Sequence, residues 1–471
     1  MLVQPDGAAD DDHWLQPAGD DGKFRAMKKL PHFCVMFAVS TLGSAAADQW
    51  PQWRGPLANG VASAGDPPIE WSETKNLRWK SAIPGRGTST PVIWGDQLFI
   101  LAAQPKAGAA PAAPKPANPE PPLRSGGGGG GGFGIEKPQQ EFEFFVHCFD
   151  RQTGKIQWTR TVATEIPHEG HHRDHGFASA SPVTDGQHVY SYFGSRGLYC
   201  HDLQGNLKWK KRFGQMSTRN SFGEGSSPGL HGNTLVVLWD HEGDDFVVAL
   251  DKQTGNELWR QKRDEATGWT TPLFLKRGEG TEVVLSATGK IRSYDLADGK
   301  LRWECAGMTA NAIPTPVAGD DLVYCISGFR GSALLAIKRG QSGDLTGTEA
   351  IAWSHKKNTP YVPSPLLYEN NLYFFSVNSA MLSCLNAKTG RPHYEVERLP
   401  EISGVYASPV GAAGRVYVAG RDGKCAVLKA GPKFEVLAQN TLADKFDASP
   451  AVIGNDLYLR GHQNLYCIGK E

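Results

Sequence analysis

Asp251-Lys252-Gln253-Thr254-Gly255-Asn256-Glu257-Leu258-Trp259 is the clearest copy of a phrase that returns, worn down, along the chain. Thr153-Gly154 stands before Trp158, Gly205 before Trp209, and Gly299 before Trp303. A Ser/Thr-Pro dipeptide recurs with it, at Pro91, Pro182, Pro228, Pro272, Pro316, Pro365, Pro409 and Pro450. From Pro182 onward these prolines are 46, 44, 44, 49, 44 and 41 residues apart. After the dipeptide come a polar turn and a short apolar run. Examples are Gly95-Asp96 then Leu98-Phe99-Ile100, and Gly454-Asn455-Asp456 then Leu457-Tyr458-Leu459. A further glycine turn and a third run follow, as in Gly197-Leu198-Tyr199-Cys200. Four short strands per unit, at a period of about 40–45 residues, make one propeller blade. No segment keeps a 3.6-residue apolar period, so helix is negligible. The expected fold is an all-β, eight-bladed β-propeller, one domain over residues 70–471.

The last copy, Phe446 to Ile468, holds three strands and stops before its Trp. The missing strand stands at the other end, as Asn76-Leu77-Arg78-Trp79. Pairing the two buries both open sheet edges, so the last blade is expected to be closed by an N-terminal strand.

Two stretches fall outside the repeat. Residues 104–140 are rich in Ala, Pro and Gly, with seven glycines from Gly126 to Gly132. Such a composition buries too little apolar surface to offset its chain entropy, and a disordered insertion is expected. No Lys-Ser/Thr or helix start follows the glycines, which argues against a phosphate loop. At the N-terminus, Met27-Lys28-Lys29 opens a basic segment and Leu30 to Leu42 is an apolar core of 13 residues. Ala45-Ala46-Ala47 then offers a small-residue cleavage site. The core is short of the roughly 20 residues that span a bilayer. Residues 1–47 are therefore expected to be a non-mature leader with a signal peptide at 27–47. Asp48 begins the mature chain, 48–69 form an N-terminal extension, and the protein is periplasmic or secreted. Cys34 lacks the small preceding residues of a lipoprotein signal.

Forty-nine basic residues balance forty-nine acidic ones. No net field draws nucleic acid or an anionic membrane, and no later segment is apolar enough to cross one. Of the cysteines after Cys34, five (Cys148, Cys200, Cys384, Cys425 and Cys467) occupy the same point of successive repeats. Equivalent points of adjacent blades lie beyond disulfide reach, so these read as small buried apolar residues.

The repeated Ser/Thr-Pro, Gly-Asp, Leu-Tyr, Ala-Leu-Asp, Thr-Gly and Trp positions resemble the pyrroloquinoline-quinone-like propeller repeat, over about residues 70–470. That resemblance implies one of two functions: quinoprotein alcohol dehydrogenase, or a non-catalytic propeller such as the outer-membrane assembly factor BamB. Trp50-Pro51-Gln52-Trp53-Arg54-Gly55-Pro56 resembles exported propellers of the second sort. The enzyme branch holds its quinone beside a disulfide of adjacent cysteines, and this chain has no Cys-Cys dipeptide. Its Ca²⁺ ligands match no motif here, and pyrroloquinoline quinone with Ca²⁺ is not expected.

In a propeller the residues just before each Ser/Thr-Pro converge on one rim of the central channel. Here they are Arg86, His175, Arg219, Glu224, Trp269, Asn311, Tyr361, Tyr406 and Asp447, a polar and aromatic set suited to a ligand site or to filling the pore. The loop Pro167-His168-Glu169-Gly170-His171-His172-Arg173-Asp174-His175 contains H-E-x-x-H, but that chemistry needs both histidines on one helical face. Pro167 and Gly170 argue for a loop. His168, His171, His172 and His175 remain weak metal candidates. The expected function is an exported, non-catalytic scaffold that binds a protein or peptide through this rim and associates peripherally with the envelope. The alternative is an enzyme with its site in the funnel, either a quinoprotein relative or a carbohydrate-active propeller working through a carboxylate pair such as Glu224 with Asp447.

Overall fold

The computed structural model describes residues 49–108 and 135–470. The leader and most of the insertion lie outside the described residues. Among the described residues eight sheets follow one another along the chain, one per Ser/Thr-Pro landmark, antiparallel except for Gly343–Asp344, which adds a parallel strand to the fourth. Blade 1 is built on Val92–Trp94, Gln97–Pro105, Phe142–Asp150 and Ile156–Glu165. Blade 3 is Gly229–His231, Thr234–Trp239, Phe246–Asp251 and Glu257–Lys262. Blade 8 is Ala451–Ile453, Asp456–Arg460 and Asn464–Ile468, completed by Leu77–Ala82. Trp79 pairs with Cys467 and Lys80 with Tyr466, so the ring closes as the sequence predicts.

Burial within a blade explains the pattern of residues. Thr234–Trp239 and Phe246–Asp251 are buried along almost their whole length, because neighbouring blades cover both faces. They read as unbroken apolar runs. The outer strand Leu77–Ala82 alternates half-buried with exposed residues, since solvent meets one face. Among the described residues seven cysteines lie buried and free, five of them on third strands. Burial pushes the Cys148 and Cys200 thiols up to about 12.

The Thr-Gly…Trp phrase holds blade to blade. Five outer-strand indoles donate to a carbonyl of the next blade: Trp79 to Arg151, Trp158 to Leu203, Trp209 to Lys252, Trp259 to Leu296 and Trp353 to Ala387, at 2.8–3.0 Å. The turn glycine lies flat on that ring. A Cβ on Gly255, at φ +70, would come within 2.7 Å of Trp209.

The Ser/Thr-Pro dipeptide makes a second kind of seam. The Thr90 amide donates to Ser181 Oγ and the Ser181 amide to Ser227 Oγ. Thr271 donates likewise to Thr315, Thr315 to Ser364, Ser364 to Ser408 and Ser408 to Ser449, all at 2.8–3.0 Å. The hydroxyls thus form a belt around the axis, running in one sense.

Two segments depart from expectation. The insertion was expected from residue 104, but strand pairing persists to Pro105↔Phe142, because Lys106 and Glu141 extend the hairpin with a backbone bond and an ion pair. The extension at 48–69, set outside the propeller by the sequence reading, pairs with its blades. Gln49–Trp50 adds a fifth strand to blade 1 by pairing with Ile93 and Trp94. The chain then passes to blade 7, where Val61 bridges Gly411. Between them Arg54, 1% exposed, donates to the carbonyls of Pro365 and Pro409 at 2.7 and 3.0 Å. The Trp53 indole donates to Thr271 Oγ1 at 3.1 Å. The segment therefore crosses the base of the central channel and closes it.

Candidate functional site

With its base closed by Trp53, the channel is a blind funnel of about 330 Å³. Its deep wall is the hydroxyl belt, which offers oxygen acceptors and rotatable donors. Its upper wall carries Phe222, Trp269, Phe329, Tyr361 and Tyr406, with Asp174, Asp447, His172 and His175 between them. Phe329 and Tyr361 stack with ring centroids 4.8 Å apart. The Trp269 indole is held edge-on to the wall by a bond to the Gly223 carbonyl at 2.8 Å.

Of the nine rim residues expected from sequence, His175, Trp269, Tyr361, Tyr406 and Asp447 line this funnel. The other four do not. Arg86 is exposed, its backbone paired with Ala103. Arg219 sits in a short 3-10 segment off the lining, its amide donating to Thr267 Oγ1. Asn311 is buried off the lining, at φ 55. Glu224 points into an adjoining small cavity, where Ser195 and Arg196 hold it. Two lining residues had no repeat signal to reveal them: Trp53, outside every blade, and Asp174, inside the histidine loop.

That loop does more than connect blades 1 and 2. Asp174 reaches blade 7, accepting from Arg421 at 3.0 Å and from the Tyr406 hydroxyl at 3.2 Å. Arg421 also binds Asp447 at 2.7 Å, and its guanidinium stacks 3.7 Å from the Tyr406 ring centre. His462 is 2.8 Å from the other Asp447 oxygen. Burial works against ionisation of Asp174, but Arg421 and Tyr406 outweigh it and hold the carboxyl below its usual range. Burial, with help from the two aspartates, pushes the Tyr406 hydroxyl up to about 12. The mouth of the funnel is thus crossed by a salt-bridged strap.

The histidines separate. His171 lies edge-on to Phe177 and His172 to Phe222. His175 Nδ1 meets Ser179 Oγ at 2.8 Å, while its Nε2 is buried without a partner. No helix forms at the H-E-x-x-H stretch. Ser179 with His175 has the outline of a nucleophile and base. Burial, however, pushes that imidazole down to about 4, and no carboxylate orients its second nitrogen. Glu224 and Asp447 belong to separate hydrogen-bond networks, one around Ser195 and Arg196, the other around Arg421 and His462. Among the described residues no cysteine lines the funnel, and no two cysteines adjoin in sequence.

Comparison with known proteins agrees with the repeat. A family model described as outer membrane protein assembly factor BamB matches residues 143–392. No curated protein matches. Among solved structures, a quinohemoprotein alcohol dehydrogenase from Comamonas testosteroni is 10% identical, covers 91% of this chain and 82% of its own, and gives a TM-score of 0.58. A europium-containing methanol dehydrogenase is 12% identical, with 89% and 90% covered and a TM-score of 0.56. BamB from Moraxella catarrhalis is 14% identical, with 71% and 95% covered and a TM-score of 0.48. At these identities the likeness is one of fold: a propeller of pyrroloquinoline-quinone-like repeats.

Proposed function

The chain belongs to the family of the outer membrane protein assembly factor BamB, and from that premise we propose that it is an exported, non-catalytic scaffold that binds a protein or peptide at its funnel. The blind funnel itself carries the reading. Five aromatic rings, a belt of hydroxyls and a floor sealed by Trp53 suit one or two inserted side chains of an extended partner. Aromatic walls supply contact area, and the hydroxyls supply orientation. Nothing on the wall is poised to take a proton from a nucleophile, which favours binding over turnover.

Export rests on the basic, apolar and small-residue succession from Met27 to Ala47, which lies outside the described residues. The propeller's first strand starts at Gln49, two residues past the proposed cleavage. Among the described residues no helix is long and apolar enough to cross a membrane, which fits peripheral association with the envelope. The balanced charge argues against a nucleic-acid partner.

The test uses the full-length protein expressed with its own N-terminus in a Gram-negative host. N-terminal sequencing of the exported form should begin at Asp48, and residues 1–26 retained on exported protein refute the export reading. A library of extended peptides should bind with quenching of tryptophan fluorescence, and Trp269→Ala should lose that binding without a change in melting temperature. Peptide binding that is indifferent to Trp269→Ala and Tyr361→Ala would remove the funnel as the site.

A further inference from the structure

Beside the funnel, behind the Trp269 wall, lies a second and much smaller cavity. It has room of about 20 Å³, enough for one water-sized occupant. Glu169, from the loop between blades 1 and 2, and Glu224, from the loop between blades 2 and 3, line it, and His168, next to Glu169, stands beside them. Each offers a donor atom within 4.8 Å of the others. His168 Nε2 stands 3.8 Å from Glu224 Oε1 and 2.6 Å from the Met216 carbonyl oxygen.

Both carboxylates are held from behind. Glu169 accepts from the Thr218 amide and hydroxyl. Glu224 accepts from the Ser195 amide at 2.7 Å, the Ser195 hydroxyl at 2.5 Å and Arg196 at 3.1 Å. Such outer partners fix the direction of ligating oxygens. Gly194 makes room for the arrangement, because a Cβ there would sit 1.8 Å from Glu224 Oε2.

A separate observation points to an occupant. Tyr192 lines the same cavity, is 2% exposed, and its hydroxyl has no hydrogen-bond partner. A buried hydroxyl left unbonded is costly, and a bound ion or its water satisfies it.

We propose that His168, Glu169 and Glu224, with the Met216 carbonyl, bind a first-row divalent cation such as Zn²⁺ or Mn²⁺ in this cavity. One imidazole and two carboxylates form a mixed N/O set without thiolate. That set suits Zn²⁺ or Mn²⁺, whereas Ca²⁺ takes six to eight oxygens. The Ser195 amide and Arg196 occupy Glu224 Oε2, while Oε1, which accepts from the Ser195 hydroxyl, faces His168. The cation ties two consecutive loops together. Gly223, next to Glu224 in sequence, holds the Trp269 indole, so the ion stiffens one wall of the funnel. The proposal does not depend on what the funnel binds.

The test starts with the whole protein, stripped by chelator dialysis and titrated calorimetrically with Zn²⁺, Mn²⁺, Ca²⁺ and Mg²⁺. One equivalent of Zn²⁺ or Mn²⁺ per chain, with a raised melting temperature, is expected, and Ca²⁺ and Mg²⁺ should be weaker by at least about tenfold. His168→Ala and Glu169→Gln should each weaken binding more than about tenfold, while Tyr192→Phe should keep the stoichiometry. His171→Ala should leave binding unchanged. Absence of saturable binding to the stripped wild type overturns the proposal whether or not the variants fold. So does binding that survives both ligand substitutions, which would place the ion elsewhere, or a crystal structure in Zn²⁺ that shows only water against Tyr192.

Discussion

The indole nitrogen of Trp79 donates to the backbone carbonyl of Arg151 at 3.0 Å, joining the outer strand of blade 8 to the turn before the outer strand of blade 1. Trp79 also tilts against Tyr458 with ring centroids 6.1 Å apart. It is therefore part of one blade, cover for the next, and the closing point of the ring. Trp79→Ala should lower unfolding free energy by about 3 kcal/mol, the low end for a tryptophan truncation because the ring is half-buried. Deleting residues 70–83 should leave the protein insoluble. Denaturant unfolding checks the first and expression the second, and a deletion variant that melts like the full chain would end the split-blade account.

Turn glycines can be separated into two classes. Gly255, at φ +70, lies on Trp209, whereas Gly289, at φ +85, has open space where a Cβ would go. Gly289→Ala should cost about 1 kcal/mol for the left-handed backbone alone. Gly255→Ala should cost that and more, because the indole must move. Equal melting temperatures for the two variants would show that the glycine–tryptophan seam carries no load.

Much of this was legible from sequence, and the reason is physical. Thr-Gly and Trp recur because the turn glycine and the indole must touch across every seam, and Ser/Thr-Pro recurs because its hydroxyl accepts from the neighbouring blade. Where a seam is made differently the repeat breaks. Trp303 donates instead to Glu282 at 3.1 Å, and Gly340 in the next blade touches nothing. The funnel was half legible. Residues before each proline do face the axis, but whether a side chain lines it depends on local turns, which sent Glu224 into the side cavity and Arg86 to solvent. Trp53 and Arg54 were invisible as site residues, because they belong to no repeat and act on blades hundreds of residues away.

Three imidazoles are buried with depressed basicity. Burial pushes His147, His175 and His201 each down to about 4. His147 is held between Thr159 Oγ1 at 2.8 Å and the Pro84 carbonyl at 3.0 Å. In the unfolded chain they titrate near 6.5, so the folded form binds fewer protons between those values. Their contribution is complete above about 6.5 and is lost as pH falls toward 4, at about 1.4 kcal/mol per pH unit for each histidine. Thermal melts from pH 7 to pH 4 should fall steeply, and His147→Gln should flatten the limb. A melting temperature constant over that window would count against burial of the neutral forms.

Arg54 should be costly to replace. Arg54→Met keeps the bulk but strips the Pro365 and Pro409 carbonyls of their donor. A loss of about 2–4 kcal/mol is expected from two unsatisfied buried acceptors, read by urea unfolding with an unchanged slope. Stability within 0.5 kcal/mol of wild type, an ordinary surface-substitution effect, would show that the channel base is not sealed by this side chain.

A quinoprotein must position a planar quinone and polarise it with a cation. Purified protein incubated with pyrroloquinoline quinone and Ca²⁺ should show no alcohol- or sugar-dependent dye reduction. Saturable quinone binding with turnover that disappears in Trp269→Ala would replace the scaffold reading with an enzyme.

The path of the N-terminal segment sets the order of assembly. Gln49–Trp50 joins blade 1, Arg54 grips carbonyls 311 and 355 residues further along, and Leu77–Ala82 waits for the final three strands. None of these later bonds can form until the C-terminal blades exist. A chain made from its N-terminus therefore holds the segment from Gln49 to Ala82 in reserve while blade after blade stacks with one edge open. The stretch that emerges early is the last to settle, and in settling it stops the bore and locks the circle in a single motion. Loop-closure entropy over such separations makes this step slow, and until it happens the nascent ring is most exposed to aggregation and proteolysis.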